Sequence, residues 1–120
     1  MLLIFLFTLP TLAKAALPLP WNYKGIWVGC TQSPGGISFT EVKWGDFPVI
    51  RTGTAKNDLF KWQNNSWVLA DYDFGQTQGY SGHTKVFSVA FGTAWWTSSG
   101  WAALDGESPY YLNTGNTYCS

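Results

Sequence analysis

Short runs of strand-forming residues, each ended by a turn signal, constrain the fold of this chain more than any other feature. From Lys24 onward no window has the apolar spacing of an amphipathic helix, whereas β-branched and aromatic residues recur in runs that Gly, Asn, Ser or Pro terminates. Turn signals follow one another about every ten residues, a spacing typical of small antiparallel sheet proteins. The sequence therefore predicts one all-β domain at residues 24–120, built as a small antiparallel β-sandwich or barrel.

Two cysteines, Cys30 and Cys119, lie near the two ends of this region. In an exported chain such a pair is expected to form one disulfide. Closing a loop of about 90 residues should stabilise the fold by roughly 4 to 5 kcal/mol through the lost entropy of the unfolded chain. The disulfide would also place the first strand beside the last segment.

The N-terminus has the pattern of a secretory signal peptide. An apolar run from residue 2 to residue 13 leads into Ala13-Lys14-Ala15, which matches a small-residue cleavage site. As a helix, about twelve residues span only about 18 Å, well short of the hydrocarbon core of a bilayer. We therefore expect a signal peptide at residues 1–15, a proline-rich leader at residues 16–23, and a secreted, periplasmic or extracellular protein with no membrane insertion after cleavage.

Charge and metal-ligand content disfavour several classes of function. After cleavage the chain would carry six basic and seven acidic residues with the two signs interspersed, so no basic stripe points to nucleic acid. Two cysteines and one histidine are too few for a typical zinc site. We therefore expect no metal, no cofactor and no nucleic-acid partner.

The clearest local pattern is a hairpin in "DLFKWQNNSWVLADYDF", residues 58–74. Two β-rich runs flank Gln63-Asn64-Asn65, and Asn65 is expected to adopt the left-handed conformation that a short turn requires. An aromatic strand, an Asn-rich turn and a following "WV" are similar to hairpins repeated in phage tail-fibre and other adhesin sequences. That resemblance implies an adhesive setting, of phage or bacterial type.

The other runs are assigned from their alternation. "GIWVGC" reads as a strand with Trp27 facing outward, and "VIRT" as an edge strand or a loop. Residues 74–84, rich in Gly, Gln and Ser, read as a loop. In the strand that follows, the alternation predicts that Phe87, Val89 and Phe91 face the core.

The segment "FGTAWWTSSGW", residues 91–101, places two tryptophans side by side. Successive side chains on a strand point to opposite faces, so one core cannot hold both rings. Extending the alternation of Phe87, Val89 and Phe91 makes Trp95 the core residue and Trp96 the outward one, unless a bulge at Gly92 reverses the phase.

Outward aromatic rings beside acidic and amide side chains are typical of sugar recognition, because the C–H face of a pyranose packs on a ring while polar groups bind its hydroxyls. Trp and Tyr also dominate protein interfaces. The expected ligand-binding residues are Trp96, Trp101, Trp27, Asp71, Tyr72 and Asp73. We therefore expect an exported binding or adhesion domain that recognises a cell-surface ligand, either a glycan or a receptor protein, without catalysis.

Two other functions remain open from the sequence. The chain could be a structural subunit of an extracellular filament or virion, in which case its outward aromatic rings would be covered by other copies in a homo-oligomer. It could instead be a small secreted hydrolase that uses Asp71 or Asp73, or an inhibitor of a hydrolase. The aromatic residues could also serve packing alone, since Trp is a good strand former.

Overall fold

The computed structural model describes residues 18–120, and all of its regular structure is antiparallel β-strand. The eight strands are β1 (Trp21–Cys30), β2 (Gly35–Gly45), β3 (Arg51–Gln63), β4 (Ser66–Gly79), β5 (Gly82–Phe91), β6 (Ala94–Leu104), β7 (Tyr110–Asn113) and β8 (Thr117–Cys119). The all-β prediction is confirmed. Within the described range there is no helix of the length and apolarity needed to cross a membrane.

The strands form two sheets that pack against each other. The first sheet has the order β1-β2-β5, and the second has the order β4-β3-β6-β7, with β8 also paired to β6. The predicted disulfide is present between Cys30, at the end of β1, and Cys119, in β8, so it joins the two sheets. The first strand and the last segment therefore lie side by side, as the cysteine positions predicted.

The core between the sheets consists of two apolar clusters with a polar layer between them. One cluster is built around Trp44 and Leu104, the other around Leu59 and Trp96. Between them lies Asn57, which is fully buried. A buried amide is costly unless its donors and acceptor are all paired.

Hydroxyl groups from both sheets satisfy the Asn57 amide. Its Nδ2 donates to Ser38 Oγ at 2.7 Å and to Ser88 Oγ at 2.9 Å. Its Oδ1 accepts from the hydroxyl of Thr40 at 2.9 Å and lies 3.0 Å from that of Ser98. The amide thus connects β2 and β5 of the first sheet to β3 and β6 of the second, and it fixes which residues of these strands face inward.

This polar layer explains why the predicted inner face of β5 is wrong. Val86 and Ser88 face the core, whereas Phe87, Val89 and Phe91 are exposed. The sequence analysis assigned the more hydrophobic face to the interior. The position opposite the Asn57 amide instead requires a small hydroxyl-bearing residue, and only the even-numbered face of β5 supplies one.

The same error reverses the prediction for the tryptophan pair. Trp96 is fully buried, and Trp95 is 48% exposed. Even-numbered residues face inward in both β5 and β6. Gly92, at φ 125°, therefore turns the chain between the two strands without exchanging the inward and outward positions. The ring of Trp96 lies against Gly36 of the facing sheet so closely that a β-carbon there would collide with it.

Three segment boundaries also differ from expectation. The predicted leader, residues 16–23, overlaps β1, because Trp21 already pairs with Gly45. Residues 74–79 continue β4, and residues 82–84 open β5, so little of the predicted loop at 74–84 remains. Of the segment "VIRT", predicted as an edge strand or a loop, Arg51 and Thr52 begin the long strand β3, which lies between β4 and β6 and not at a sheet edge. The predicted signal peptide, residues 1–15, lies outside the described residues.

The β3–β4 hairpin is confirmed. Asn64 and Asn65 have φ values of 54° and 63°, which is the two-residue turn whose twist matches that of the paired strands. Further along, Leu59 pairs with Asp71 while Phe60 pairs with Leu69, so Ala70 forms a β-bulge. This hairpin and its bulge orient the side chains described next.

Candidate binding groove on the second sheet

A row of four aromatic side chains crosses the outer face of the second sheet near the hairpin turn. Trp62 pairs with Trp67 across the hairpin, and Trp95 pairs with Tyr118. Since Lys61 pairs with Trp96, the same antiparallel register places Trp62 beside Trp95. The row therefore runs from β4 through β3 and β6 to β8.

The four rings form two separate pairs with a hollow between them. Trp62 and Trp67 meet edge to face at a centroid distance of 5.2 Å, and Trp95 and Tyr118 do so at 5.4 Å. Trp62, Trp67 and Trp95, together with Asn116, line a hollow of about 470 Å³, which we call the aromatic cleft. Their exposed fractions of 42%, 36% and 48% leave ring surface available to a ligand.

A polar stretch continues from the cleft along the strands. A second hollow, of about 350 Å³, shares Trp67 with the cleft and reaches Ser99 and Asn113. A third, of about 300 Å³, shares Ser99 and Asn113 and ends against Trp101. The three hollows adjoin one another through these shared residues, and we call them together the groove. A further hollow, of about 340 Å³, shares Asn116 with the cleft and reaches Trp27 on the first sheet.

The groove is close to electrically neutral. Asp58 is the only charged residue among the described residues that line the three hollows. Lys56 Nζ lies 3.3 Å from Asp58 Oδ1 and offsets its charge. Amide and hydroxyl groups supply the remaining polarity, and these groups can both donate and accept hydrogen bonds.

A second aromatic group lies at the far end of the groove. It consists of Phe74, Trp101 and Tyr111, and Trp101 pairs directly with Tyr111 across β6 and β7. The rings of Phe74 and Trp101 meet edge to face at 6.0 Å. Tyr111 is 73% exposed. Aromatic surface is therefore present at both ends of the polar stretch.

The structure places only two of the six predicted ligand-binding residues on this face. Trp101 lies at the end of the groove, and Tyr72 lies beside Asp58 on the same side of the sheet. Trp96 is in the core, so its prediction as an exposed binding residue is wrong. Trp27 is exposed but lies on the first sheet. The predicted residues thus do not form one site.

Asp71 and Asp73 belong to the opposite side of β4 from Tyr72. Asp71 Oδ2 accepts a hydrogen bond of 2.9 Å from the backbone N–H of Val89, on the edge of the first sheet. Asp73 Oδ1 accepts from the N–H of Phe74, at 2.9 Å. The Asp71 contact caps part of an exposed strand edge, a position that otherwise invites pairing with another chain.

The cleft residues that the sequence analysis missed are Trp62, Trp67 and Asn116, together with Trp95, which it assigned to the core. The first two could have been found from the hairpin itself. A two-residue Asn64-Asn65 turn makes Gln63 and Ser66 partners, and the next pair outward is then Trp62 with Trp67. Asn116 gave no such signal, because its position depends on how the last segment returns to β6.

The outer face of the first sheet carries aromatic residues in a different arrangement. Trp27, Phe39 and Phe87 are direct neighbours across β1, β2 and β5. The ring centroids of Trp27 and Phe39 lie 5.6 Å apart, and those of Phe39 and Phe87 lie 5.7 Å apart. Lys85 Nζ lies over the Phe39 ring at 4.1 Å. We call these three rings the ladder.

Two ion pairs, Arg51–Asp105 and Lys24–Glu107, hold the segment that leads into β7. Hydrogen bonds from Arg51 and from the Thr52 N–H lower the pKa of Asp105 from its ordinary value. Burial raises the pKa of Glu107, but the Leu104 N–H and Lys24 lower it by more. Both carboxylates therefore remain ionised and keep this segment, which precedes Tyr111, against the sheet.

Within residues 18–120 no three or more His, Cys, Asp or Glu side chains converge as metal ligands would.

No protein-family model and no curated protein matches this chain. Among solved structures, the chain is similar to the crystal structure of the ApaA protein from Bordetella pertussis, with 5% sequence identity and a TM-score of 0.37. The similarity covers 87% of this chain and 96% of the other. At that level it supports no statement about fold or function.

Proposed function

We propose that this protein is an exported binding domain that recognises a cell-surface glycan through the groove on its second sheet. The observation that carries the proposal is the aromatic cleft, where Trp62, Trp67 and Trp95 surround an open hollow beside Asn116. A sugar ring presents C–H bonds on its faces and hydroxyls around its edge. Indole rings with an adjacent amide match both requirements.

The disulfide supports the exported setting. Disulfides form and persist in oxidising compartments and are rare in the cytosol, and the two cysteines of this chain are joined. A binding domain on a cell or virion surface would meet glycans there. Adhesion needs no cofactor, and the proposal includes no chemical step.

A glycan array with the purified protein tests this function. The wild-type protein should bind one class of glycan, and Trp95→Ala should lose at least tenfold in affinity, because hot-spot aromatic residues contribute about 2 kcal/mol or more. Phe87→Ala is the matched control, since that ring is 46% exposed on the other sheet and lines none of the three hollows. Absence of binding to every glycan, or equal losses in both variants, would refute the proposal.

A second candidate function is self-assembly, which the outer face of the first sheet favours. Phe87, the last ring of the ladder, is 46% exposed, and Val89 and Phe91, which continue its face of β5, are 39% and 71% exposed. An adjoining apolar surface of this kind is typical of a contact with another protein. Light scattering from nanomolar to high micromolar concentration distinguishes the candidates. A defined oligomer that Phe91→Ser dissociates would support assembly.

The hydrolase alternative has less support from the geometry. Neither Asp71 nor Asp73 lines the groove. Asp71 is hydrogen-bonded to the edge of the first sheet instead of facing a second carboxylate across a cleft.

A further inference from the structure

The two aromatic ends of the groove are separated by a distance larger than a single sugar. Trp95 and Trp101 lie on the same face of β6, six residues apart. At the rise of an extended strand this separation is about 20 Å. A ligand that contacts both rings must therefore be an extended chain.

The surface between the two ends is suited to the hydroxyl groups of such a chain. Ser99 and Asn113 line both the second and the third hollow, and Thr97 lines the second. Their side chains supply donors and acceptors without net charge. The Asp58 carboxylate is paired with Lys56, so this stretch carries no net charge.

We propose that the groove binds a linear, uncharged oligosaccharide, with one sugar stacked in the aromatic cleft and another over Trp101 and Tyr111. This inference rests on the proposed glycan-binding function and adds the length and charge of the ligand. The intervening sugars hydrogen-bond to the polar stretch. Once the first sugar is held in the cleft, the second contact forms within the same complex and therefore adds affinity at a small entropic cost.

The test is a chain-length series. Chito-, cello-, xylo- and manno-oligosaccharides, each from the monosaccharide to the hexasaccharide, are titrated into the wild-type protein by calorimetry. In the series that binds, affinity should rise at least tenfold between the disaccharide and the longest chains. Carboxylated or sulfated chains of equal length should gain nothing over the neutral chain.

Three variants separate the ends of the groove. Tyr111→Ala and Trp101→Ala should remove most of the affinity that long chains gain over the disaccharide, whereas Trp95→Ala should weaken the binding of chains of every length. Tyr111 is largely exposed, so its variant should keep the wild-type melting temperature even if Trp101→Ala is destabilised. Phe87→Ala, at a ring that lines none of the three hollows, is the control for general effects.

The possible failures are distinct. Affinity that does not depend on chain length, or a Tyr111→Ala variant that gains as much affinity with length as the wild type does, overturns the two-ended site and leaves the proposed function standing. Stronger binding of charged chains overturns the neutral ligand class. A protein that binds none of these series and nothing on the glycan array overturns the proposed function together with this inference.

Discussion

The two outer faces of the sandwich use exposed aromatic residues in opposite ways. On the first sheet, Trp27, Phe39 and Phe87 touch one another in a continuous ladder, and Trp27 also lies over Gly29, where a β-carbon would collide with the ring. On the second sheet, the rings meet only in pairs and leave a hollow between Trp62 and Trp95. Exposure alone therefore does not identify a binding residue.

The difference arises from what lies between the rings. Neighbouring aromatic residues on adjacent strands stabilise a sheet by contact with each other. Where contact is interrupted, ring faces remain available and polar side chains can be reached. We accordingly assign a packing role to the ladder and a ligand-binding role to the groove, and the following predictions test that assignment.

The largest effect is expected from loss of the disulfide. Cys30→Ser/Cys119→Ser should lower the free energy of unfolding by about 4 to 5 kcal/mol, because the bridge closes a loop between distant parts of the chain. Since Cys119 anchors β8, which carries Tyr118, the cleft should loosen more than the ladder. Chemical denaturation measures the first effect, and hydrogen exchange at β8 measures the second. Equal exchange rates in oxidised and reduced protein would contradict this role of the bridge.

Alanine substitutions of the two adjacent tryptophans should have different effects on stability and on ligand binding. Trp96→Ala should destabilise the protein by about 3 to 5 kcal/mol through the cavity it leaves, whereas Trp95→Ala should change the melting temperature little and weaken ligand binding. Thermal unfolding monitored by circular dichroism gives the comparison.

Trp96→Phe is the matched control. This substitution retains an aromatic ring and removes an indole N–H that is buried without a hydrogen-bond partner. It should therefore lower the free energy of unfolding clearly less than Trp96→Ala does. If Trp95→Ala were as destabilising as Trp96→Ala, both rings would be packing residues.

The ladder should matter for stability and not for binding. Phe87→Ala removes the last ring of the ladder and should destabilise the protein by about 1 to 2 kcal/mol, because apolar contact and ring pairing are lost. Glycan affinity, measured below the melting transition, should remain that of the wild type. An affinity loss comparable to that of Trp95→Ala would show that the ladder is a second binding surface.

The smallest effect concerns the hairpin turn that brings Trp62 beside Trp67. Asn65→Val should cost about 1 kcal/mol, since the left-handed conformation is unfavourable for a β-branched side chain. Asn65→Gly, which adopts that conformation freely, should restore stability. Thermal unfolding of both variants checks this, and equal stabilities would mean that Asn65 does not carry the turn.

Much of this architecture was predictable from the sequence because its signals are local. The two-asparagine turn, the short alternating runs and the pair of cysteines each depend on near neighbours or on a single pairing, and the structure contains all three. The inner face of β5 was not predictable in this way. Alternation favours the face with Phe87, and only the amide of Asn57, brought from a distant strand, makes Ser88 the better inward residue.

The site was less predictable than the fold. Trp101 was predicted from its aromatic character and not from its phase, because the alternation that assigned Trp95 to the core assigns Trp101 to the same face. The cleft requires Trp62, Trp95 and Asn116 to meet from three separate segments. Asp71 and Asp73 look equivalent to Tyr72 in the sequence. Strand alternation and the bulge at Ala70 turn them toward the first sheet.

The most direct test of the central claim is a side-chain NMR titration with ¹⁵N-tryptophan-labelled protein. Each indole N–H gives its own signal, and the highest-affinity oligosaccharide of the chain-length series is added stepwise. The account predicts saturable shifts of the signals from Trp62, Trp67, Trp95 and Trp101 that are larger than any shift at Trp27, while the signal from the buried Trp96 stays in place. Saturable shifts at Trp27 with unchanged signals from Trp62 and Trp95 would place the ligand on the ladder and contradict the account.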